Sequence, residues 1–233
     1  MTGRRLVLFD IDGTLLHSGG AGRRAIRAAL RDWLPDDTVF GRVRFDGKTD
    51  PQIVAELLAA SGDPEPAEPA RIAAVCLRYV EALEVELAGG AARPAVYPGV
   101  MELLARLEVE AGVVLGLLTG NIAAGAALKL RSAGLDPARF RLGAYGSDSA
   151  HRPDLPAVAA RRAEPHFGRE PRGAEVVIVG DTPADVTCGR GIGARAIGVG
   201  TGSYGVAELR DAGAHAAFAT LEEVDAVLES ILG

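Results

Sequence analysis

Lysine is nearly absent from this chain of 233 residues: of 25 basic side chains only Lys48 and Lys129 are lysines, the rest being arginine. Any chemistry that needs a lysine therefore has two places to find one. Cysteine is as scarce. Cys76 and Cys188 cannot make a disulfide framework and form no close-spaced metal pair, so both read as core thiols. Aromatics make up 5% of the chain and no apolar run reaches membrane-spanning length. The amino terminus, "MTGRRLVLFDIDG", lacks a long apolar segment followed by a small-residue cleavage site, and cytoplasmic residence is the default expectation. A net charge of -6 argues against general affinity for nucleic acid or an anionic membrane.

What is present is an alternation of short apolar strands with helices, broken once. Strands are expected at about 6 to 9, 113 to 118, 140 to 146, 175 to 180, 195 to 200 and 215 to 219. Helices are expected at about 99 to 110, 122 to 133, 154 to 167, 184 to 190 and 205 to 212, with a last one from 221. Continuous apolar strands between helices indicate an α/β fold, a Rossmann-like doubly wound parallel sheet covered on both faces. The interruption is helical throughout, at about 21 to 34, 51 to 61 and 68 to 88, with "SGDPEPAEPA" as a loop between the last two. Glycine-rich "HSGGAG" and "AGGAARPAVYPG" bracket it. The expected division is a core of 1–16 and 91–233 with an inserted α-helical cap domain at 17–90.

Ligands of open parallel sheets gather at the carboxyl ends of the strands. The first strand there places Asp10 and Asp12 with only Ile11 between them, so the two carboxylates project together and need a cation to relieve their repulsion. Gly13 releases the chain from the strand and Thr14 adds a hydroxyl. A hairpin turn at Asp12-Gly13 is the plainer alternative, but no alternating strand follows it. A second strand ends in Thr119-Gly120-Asn121, a hydroxyl and backbone amides at a helix start that suit a phosphate oxygen or, more plainly, a helix cap. A third ends in "GDTPAD", with Asp181 and Asp185. Four carboxylates at neighbouring strand ends call for a divalent cation, and all-oxygen ligands favour magnesium.

These motifs, "FDIDGTL", "LLTGN" and "VGDTPAD" in that order, resemble those of haloacid dehalogenase superfamily phosphatases with a helical cap, of the phosphoglycolate-phosphatase-like kind, over essentially the whole chain. The resemblance implies that Asp10 is the nucleophile forming an aspartyl-phosphate and Asp12 the acid and then the base. It implies Mg2+ held by the Asp10 carboxylate, the Asp12 carbonyl and Asp181, with Asp185 outside the first sphere or orienting a cation. Thr119 and the amides of Gly120 and Asn121 would hold phosphoryl oxygens.

The usual third motif is a lysine, and neither Lys48, in the cap, nor Lys129, in mid-helix, stands where it belongs. Arg152, in "SDSAHRPDLPAV", is assigned that role because a guanidinium can neutralise charge and fork onto phosphate. In "RVRFDGKTD", similar to a substrate-facing cap segment of such phosphatases, Arg42, Arg44 and Lys48 either meet a substrate carboxylate or second phosphate or are solvated helix-end charges.

The expected activity is magnesium-dependent hydrolysis of a small phosphate ester, with phosphoglycolate or a sugar phosphate as the candidate substrates. A phosphosugar mutase of the same superfamily and a catalytically weak phospho-ligand-binding regulatory protein are the alternatives. Partners beyond the small substrate are not indicated. "GRGIGA" at 189–194 follows a helix where a dinucleotide motif would open one, and "TGSYG" at 201–205 has Thr201 where a nucleophile elbow needs glycine.

Overall fold

The computed structural model describes residues 3–34, 37–90 and 93–233. In chain order its elements are β1 (Arg5–Phe9), β2 (Leu16–His17), α1 (Ala21–Ala29), α2 (Asp50–Ala60), α3 (Pro69–Ala88), β3 (Ala95–Val96), α4 (Val100–Val109), β4 (Val113–Thr119) and α5 (Ala123–Ser132). They continue with β5 (Leu142–Tyr145), α6 (Leu155–Phe167), β6 (Val176–Gly180), α7 (Pro183–Cys188), β7 (Arg195–Val199), α8 (Val206–Asp211), β8 (Ala216–Phe218) and α9 (Val224–Leu232).

Six strands form one parallel sheet in the order β5-β4-β1-β6-β7-β8. Alternation along β1 sends Val7 and Phe9 to the face covered by α4, α5 and α9, and Leu6 and Leu8 to the face covered by α6 and α7. Both faces are dry, which is why the strands read as unbroken apolar runs. The crossovers turn to opposite sides at β1, flanked by β4 and β6, and that is where a crevice opens.

Helices α1, α2 and α3 add no strand to this sheet; they close around their own core of Ala25, Ile26, Leu57, Leu58, Tyr79 and Leu83, joined by Ile122 from the end of β4. The chain enters and leaves this helical body through β2 and β3, which pair antiparallel as a two-residue ribbon, Leu16 opposite Val96 and His17 opposite Ala95. Thus a strand does follow the Asp12-Gly13 turn, but its partner lies in the return linker.

The helix expected at about 21 to 34 stops at Ala29. Leu30 N closes its last turn on Ala28 and Ile26 oxygens, and residues 31–33 turn away so that Asp32 pairs with Arg78 at 2.7 Å while that guanidinium lies 4.4 Å over the Trp33 ring. A contact across to α3 has overridden local periodicity. The final helix likewise begins at Val224, three residues later than its apolar pattern suggests. Both cysteines are free and buried, and no helix among the described residues is long and apolar enough to cross a membrane.

Candidate active site

Asp10 stands one residue past β1, its amide donating to Val179 O at 2.9 Å, and its side chain is buried. Ile11 turns into the core, so Asp12 emerges beside Asp10 at the mouth of the same crevice. From the end of β6, Asp181 accepts from Thr14 Oγ1 at 3.0 Å. One helical turn on, Asp185 closes a capping box with Thr182, whose amide and hydroxyl donate to Asp185 Oδ2 at 3.0 and 2.6 Å. Asp10, Asp181 and Asp185 bring carboxylate oxygens within 4.8 Å of one another.

Such crowding is electrostatically uphill without a cation. Burial, then the charge of Asp185, push the Asp10 carboxyl up to about 7 against the opposing pull of Arg152. Burial and the charges of Asp185 and Asp10 push Asp181 up to about 9. An all-carboxylate set whose members hold protons near neutrality is what a hard divalent ion would relieve, and the donors fit magnesium. Asp185 has both oxygens engaged within the protein, Oδ1 by Arg152 and Oδ2 by Thr182.

Arg152 comes from the turn that opens α6 and is itself buried, 5% exposed. Its Nη2 donates to Asp10 Oδ1 at 2.9 Å and also to Asp185, and Nη1 reaches the Gly47 carbonyl of the helical body at 3.4 Å. Among the described residues it is the cation that touches Asp10.

Asp12 has a cation of its own, and it is Lys129. That side chain, 5% exposed, donates at 2.6 Å to Asp12 Oδ2 and at 2.6 Å to Asn121 Oδ1. Asn121 Nδ2 adds a bond to Asp12 at 2.9 Å and Ser18 Oγ another at 3.1 Å. Burial raises the Asp12 carboxyl, but the Lys129 charge and these three donors outweigh it and hold Asp12 below the usual carboxylate range. Each of the paired aspartates therefore has a cation of its own instead of sharing one. A signal for Lys129 existed in the sequence: it occupies the buried face of α5 with Gly125, Ala126 and Leu130, where an unpaired charge would be prohibitive.

Thr119 Oγ1 is fully buried and accepts from Asn121 N at 3.3 Å and Asn121 Nδ2 at 2.8 Å, so the "TGN" turn is also a local cap. Gly120 is where the helical body lands. A Cβ there would lie 2.0 Å from the Lys48 carbonyl, and the Gly120 carbonyl accepts from Asp50 N at 2.8 Å. Asp50 Oδ2 in turn accepts from Ile122 N at 2.8 Å. Burial pushes this carboxyl up to about 6, with Lys129 and the Ile122 amide pulling the other way. The last residue of "RVRFDGKTD" thus docks the segment on the core.

Arg42 and Arg44 are exposed and do not line the crevice, because Val43 between them is buried and turns its neighbours to solvent. Arg23 of α1 lines it in their stead, along with Lys48, which is paired with Glu56. "TGSYG" also has a place. The Thr201 hydroxyl donates to the Gly13 carbonyl, and Gly202 packs so close that a Cβ would sit 1.8 Å from Asp181 Oδ2. The enclosed space is about 270 Å³, sized for a small molecule.

The model of the haloacid dehalogenase-like hydrolases matches residues 7–190. The protein named Probable phosphatase IndB from Dickeya dadantii (strain 3937) is 29% identical over 228 residues, 97% of this chain and 94% of that one. A hydrolase from Pseudomonas syringae superposes with a TM-score of 0.75 at 23% identity, covering 99% of this chain and 100% of that one. CbbY from Rhodobacter sphaeroides, solved in complex with phosphate, gives 0.72 at 24%, covering 95% and 96%. A protein from Haemophilus somnus 129pt, described as a predicted phosphoglycolate phosphatase, gives 0.72 at 19%, covering 98% and 99%.

Proposed function

This chain belongs to the haloacid dehalogenase-like hydrolase family, and from that premise we propose that it is a magnesium-dependent phosphatase of small phosphate esters, working through an aspartyl-phosphate on Asp10. The observation that carries the reading is the pair of aspartates past β1, each with a separate buried cation, Arg152 on Asp10 and Lys129 on Asp12. That arrangement supports two different jobs for two adjacent carboxylates.

In this reading an Asp10 oxygen attacks phosphorus, the bond to the ester oxygen breaks, and Asp12 delivers a proton to the leaving oxygen. Asp12, left as carboxylate, then takes a proton from water, whose oxygen displaces Asp10 from phosphorus and frees inorganic phosphate. Asp12 is ionised in the ligand-free closed protein, which suits the second half; the arrival of a phosphate dianion beside it raises its proton affinity for the first. Arg152 offsets charge on Asp10 and the phosphoryl group, and Thr119 with the amides of Gly120 and Asn121 faces the phosphoryl oxygens. Bound magnesium would be held by Asp10, Asp181 and the Asp12 carbonyl, and would supply charge neutralisation at the phosphoryl group. Asp185, with both oxygens engaged, orients Arg152. The helical body serves as a cap that excludes water.

Release of phosphate from p-nitrophenyl phosphate in the presence of Mg2+ tests the reading. Asp10→Asn should stay folded and lose at least about a thousandfold in turnover, since an amide is a poor nucleophile and a poor magnesium ligand. Near-normal turnover in that variant would overturn the mechanism.

A further inference from the structure

Beyond Asp12 the crevice runs under α3, and there Tyr79 presents a polar atom without an explanation. The residue is 1% exposed and lines the crevice, its ring packed against Gly125, and its hydroxyl has no hydrogen-bond partner among the described residues. It lies close enough to Lys129 to feel its charge and the pull of the ammonium's third hydrogen, the other two being spent on Asp12 and Asn121, which leaves the phenol's own hydrogen with no acceptor to meet among the described residues. A buried hydroxyl left unpaired keeps its full desolvation cost, so a tyrosine where phenylalanine would fill the same space calls for a partner that arrives later.

Its position says what that partner is. If Asp12 protonates the leaving oxygen, the leaving group sits on the Asp12 side of the phosphate, between Asp12 and Tyr79. Asp50 lines the same space, with Oδ2 on the Ile122 amide and Oδ1 accepting no hydrogen bond among the described residues. A donor-acceptor hydroxyl and a free carboxylate oxygen lining the same space match an alcohol group, which both gives and takes a hydrogen bond.

Charge points the same way. Besides the four aspartates of the core, the crevice is lined by Asp46 and Asp50, against Arg23, Lys48, Lys129 and Arg152. Lys48 is neutralised by Glu56, Lys129 by Asp12, and Arg152 by Asp10 and Asp185. Arg23 gives Nη2 to the Phe40 carbonyl at 2.6 Å and lies 4.6 Å over the Phe45 ring. Six carboxylates to four cations leave no surplus for a second anionic group on the substrate once a divalent ion and a phosphate dianion are accounted for.

We propose that Tyr79 and Asp50 form a subsite for an uncharged, hydroxyl-bearing leaving group, so that the preferred substrates are polyol phosphates and not phosphorylated carboxylic acids. This rests on the phosphatase reading and names the substrate class of the same site. Sites built to hydrogen-bond a hydroxyl reject analogues lacking it far more strongly than apolar pockets discriminate by size.

The test compares kcat/KM for glycerol phosphate, propyl phosphate and phosphoglycolate, with p-nitrophenyl phosphate as a reporter of chemistry alone, in the full-length protein and in Tyr79→Phe. Glycerol phosphate should lead propyl phosphate by at least about tenfold and lead phosphoglycolate by more. Tyr79→Phe should collapse the first ratio toward one, mainly through KM, while its melting temperature holds or rises because an unpaired buried hydroxyl has gone. An unchanged ratio in that variant overturns the subsite. Preference for phosphoglycolate overturns it too, and loss of that preference in Arg23→Ala would move the specificity to α1. Turnover of the aryl ester alone overturns the subsite and leaves the phosphatase reading standing, whereas no turnover of any ester overturns both.

Discussion

Removing the Arg152 side chain would leave Asp10 and Asp185 facing each other across a buried gap with no guanidinium between them. Arg152→Ala should cost about 2 to 4 kcal/mol of transition-state stabilisation, the size of one lost electrostatic donor, read as kcat/KM on p-nitrophenyl phosphate. Arg152→Lys should recover part of it: the charge returns, but an ammonium does not copy the planar group that sets Nη2 against both carboxylates while Nη1 reaches the Gly47 carbonyl. Intact turnover in the alanine variant would put the neutralising cation elsewhere. Lys129 predicts a stability effect first. Asp12 keeps 37% of its side chain open, so screening trims the pair below a fully buried one. Lys129→Met should cost about 1 to 3 kcal/mol in urea unfolding. Asp12→Asn combined with it should restore much of that, because the stranded carboxylate is then gone. Additive losses in the double variant would mean that the two side chains do not act as a pair.

At the scale of elements, the helical body meets the end of β4 through backbone. With the Lys48 carbonyl 2.0 Å from where a Gly120 Cβ would be, and Asp50 N bonded to the Gly120 carbonyl, one added methyl should keep α2 from seating. Gly120→Ala should therefore lower kcat/KM by at least about tenfold, some 1.4 kcal/mol, with β4 and its neighbours still folded by circular dichroism. An unaffected kcat/KM would show that this closed arrangement is not the reactive one. Elements also explain what could be read before any coordinates. Asp10, Asp12, Thr119 and Asp181 stand at or just past the ends of β1, β4 and β6, neighbours in the sheet, with Asp185 in the helix that follows, and parallel-sheet geometry alone gathers strand ends. Arg152 is legible from its place before a helix. Lys129 is hard to read because its distance from Asn121 along the chain hides the two helical turns that set it beside that side chain. Tyr79 and Asp50 belong to a body whose seating on the sheet no periodicity encodes. Of the two readings that "RVRFDGKTD" allows for Arg42 and Arg44, substrate contact or solvated charge, their exposed place matches the second, because buried Val43 turns both outward.

For the molecule as a whole, the acid cluster makes stability depend on pH in a direction opposite to an ordinary salt-bridged protein. Asp10 near 7 and Asp181 near 9 hold protons in the metal-free folded state that they release near 3.8 when unfolded. Between about pH 4 and 9 the native protein binds more protons than the unfolded chain, so this contribution to stability is full at the acid end and is lost as pH rises. Asp12, lowered, acts oppositely and only at the acid extreme. In EDTA the melting temperature should fall from pH 6 to pH 9. Adding Mg2+ should raise it, and by more at pH 9 than at pH 6, because the ion replaces protons that are no longer there. A melting temperature indifferent to Mg2+ at pH 9 would mean that the cluster does not hold the ion.

The ribbon of Leu16–His17 and Ala95–Val96 has a consequence of another kind. Everything between its two arms, the whole of α1 to α3, leaves and returns at adjacent backbone positions, so to the sheet it is one attachment point. Replacing that segment would involve two junctions that already lie side by side and would leave the sheet's strand order as it is. On the proposed reading, the carboxylates that set the reaction lie outside that one attachment point, and Tyr79 and Asp50, which would set what it acts on, lie inside it.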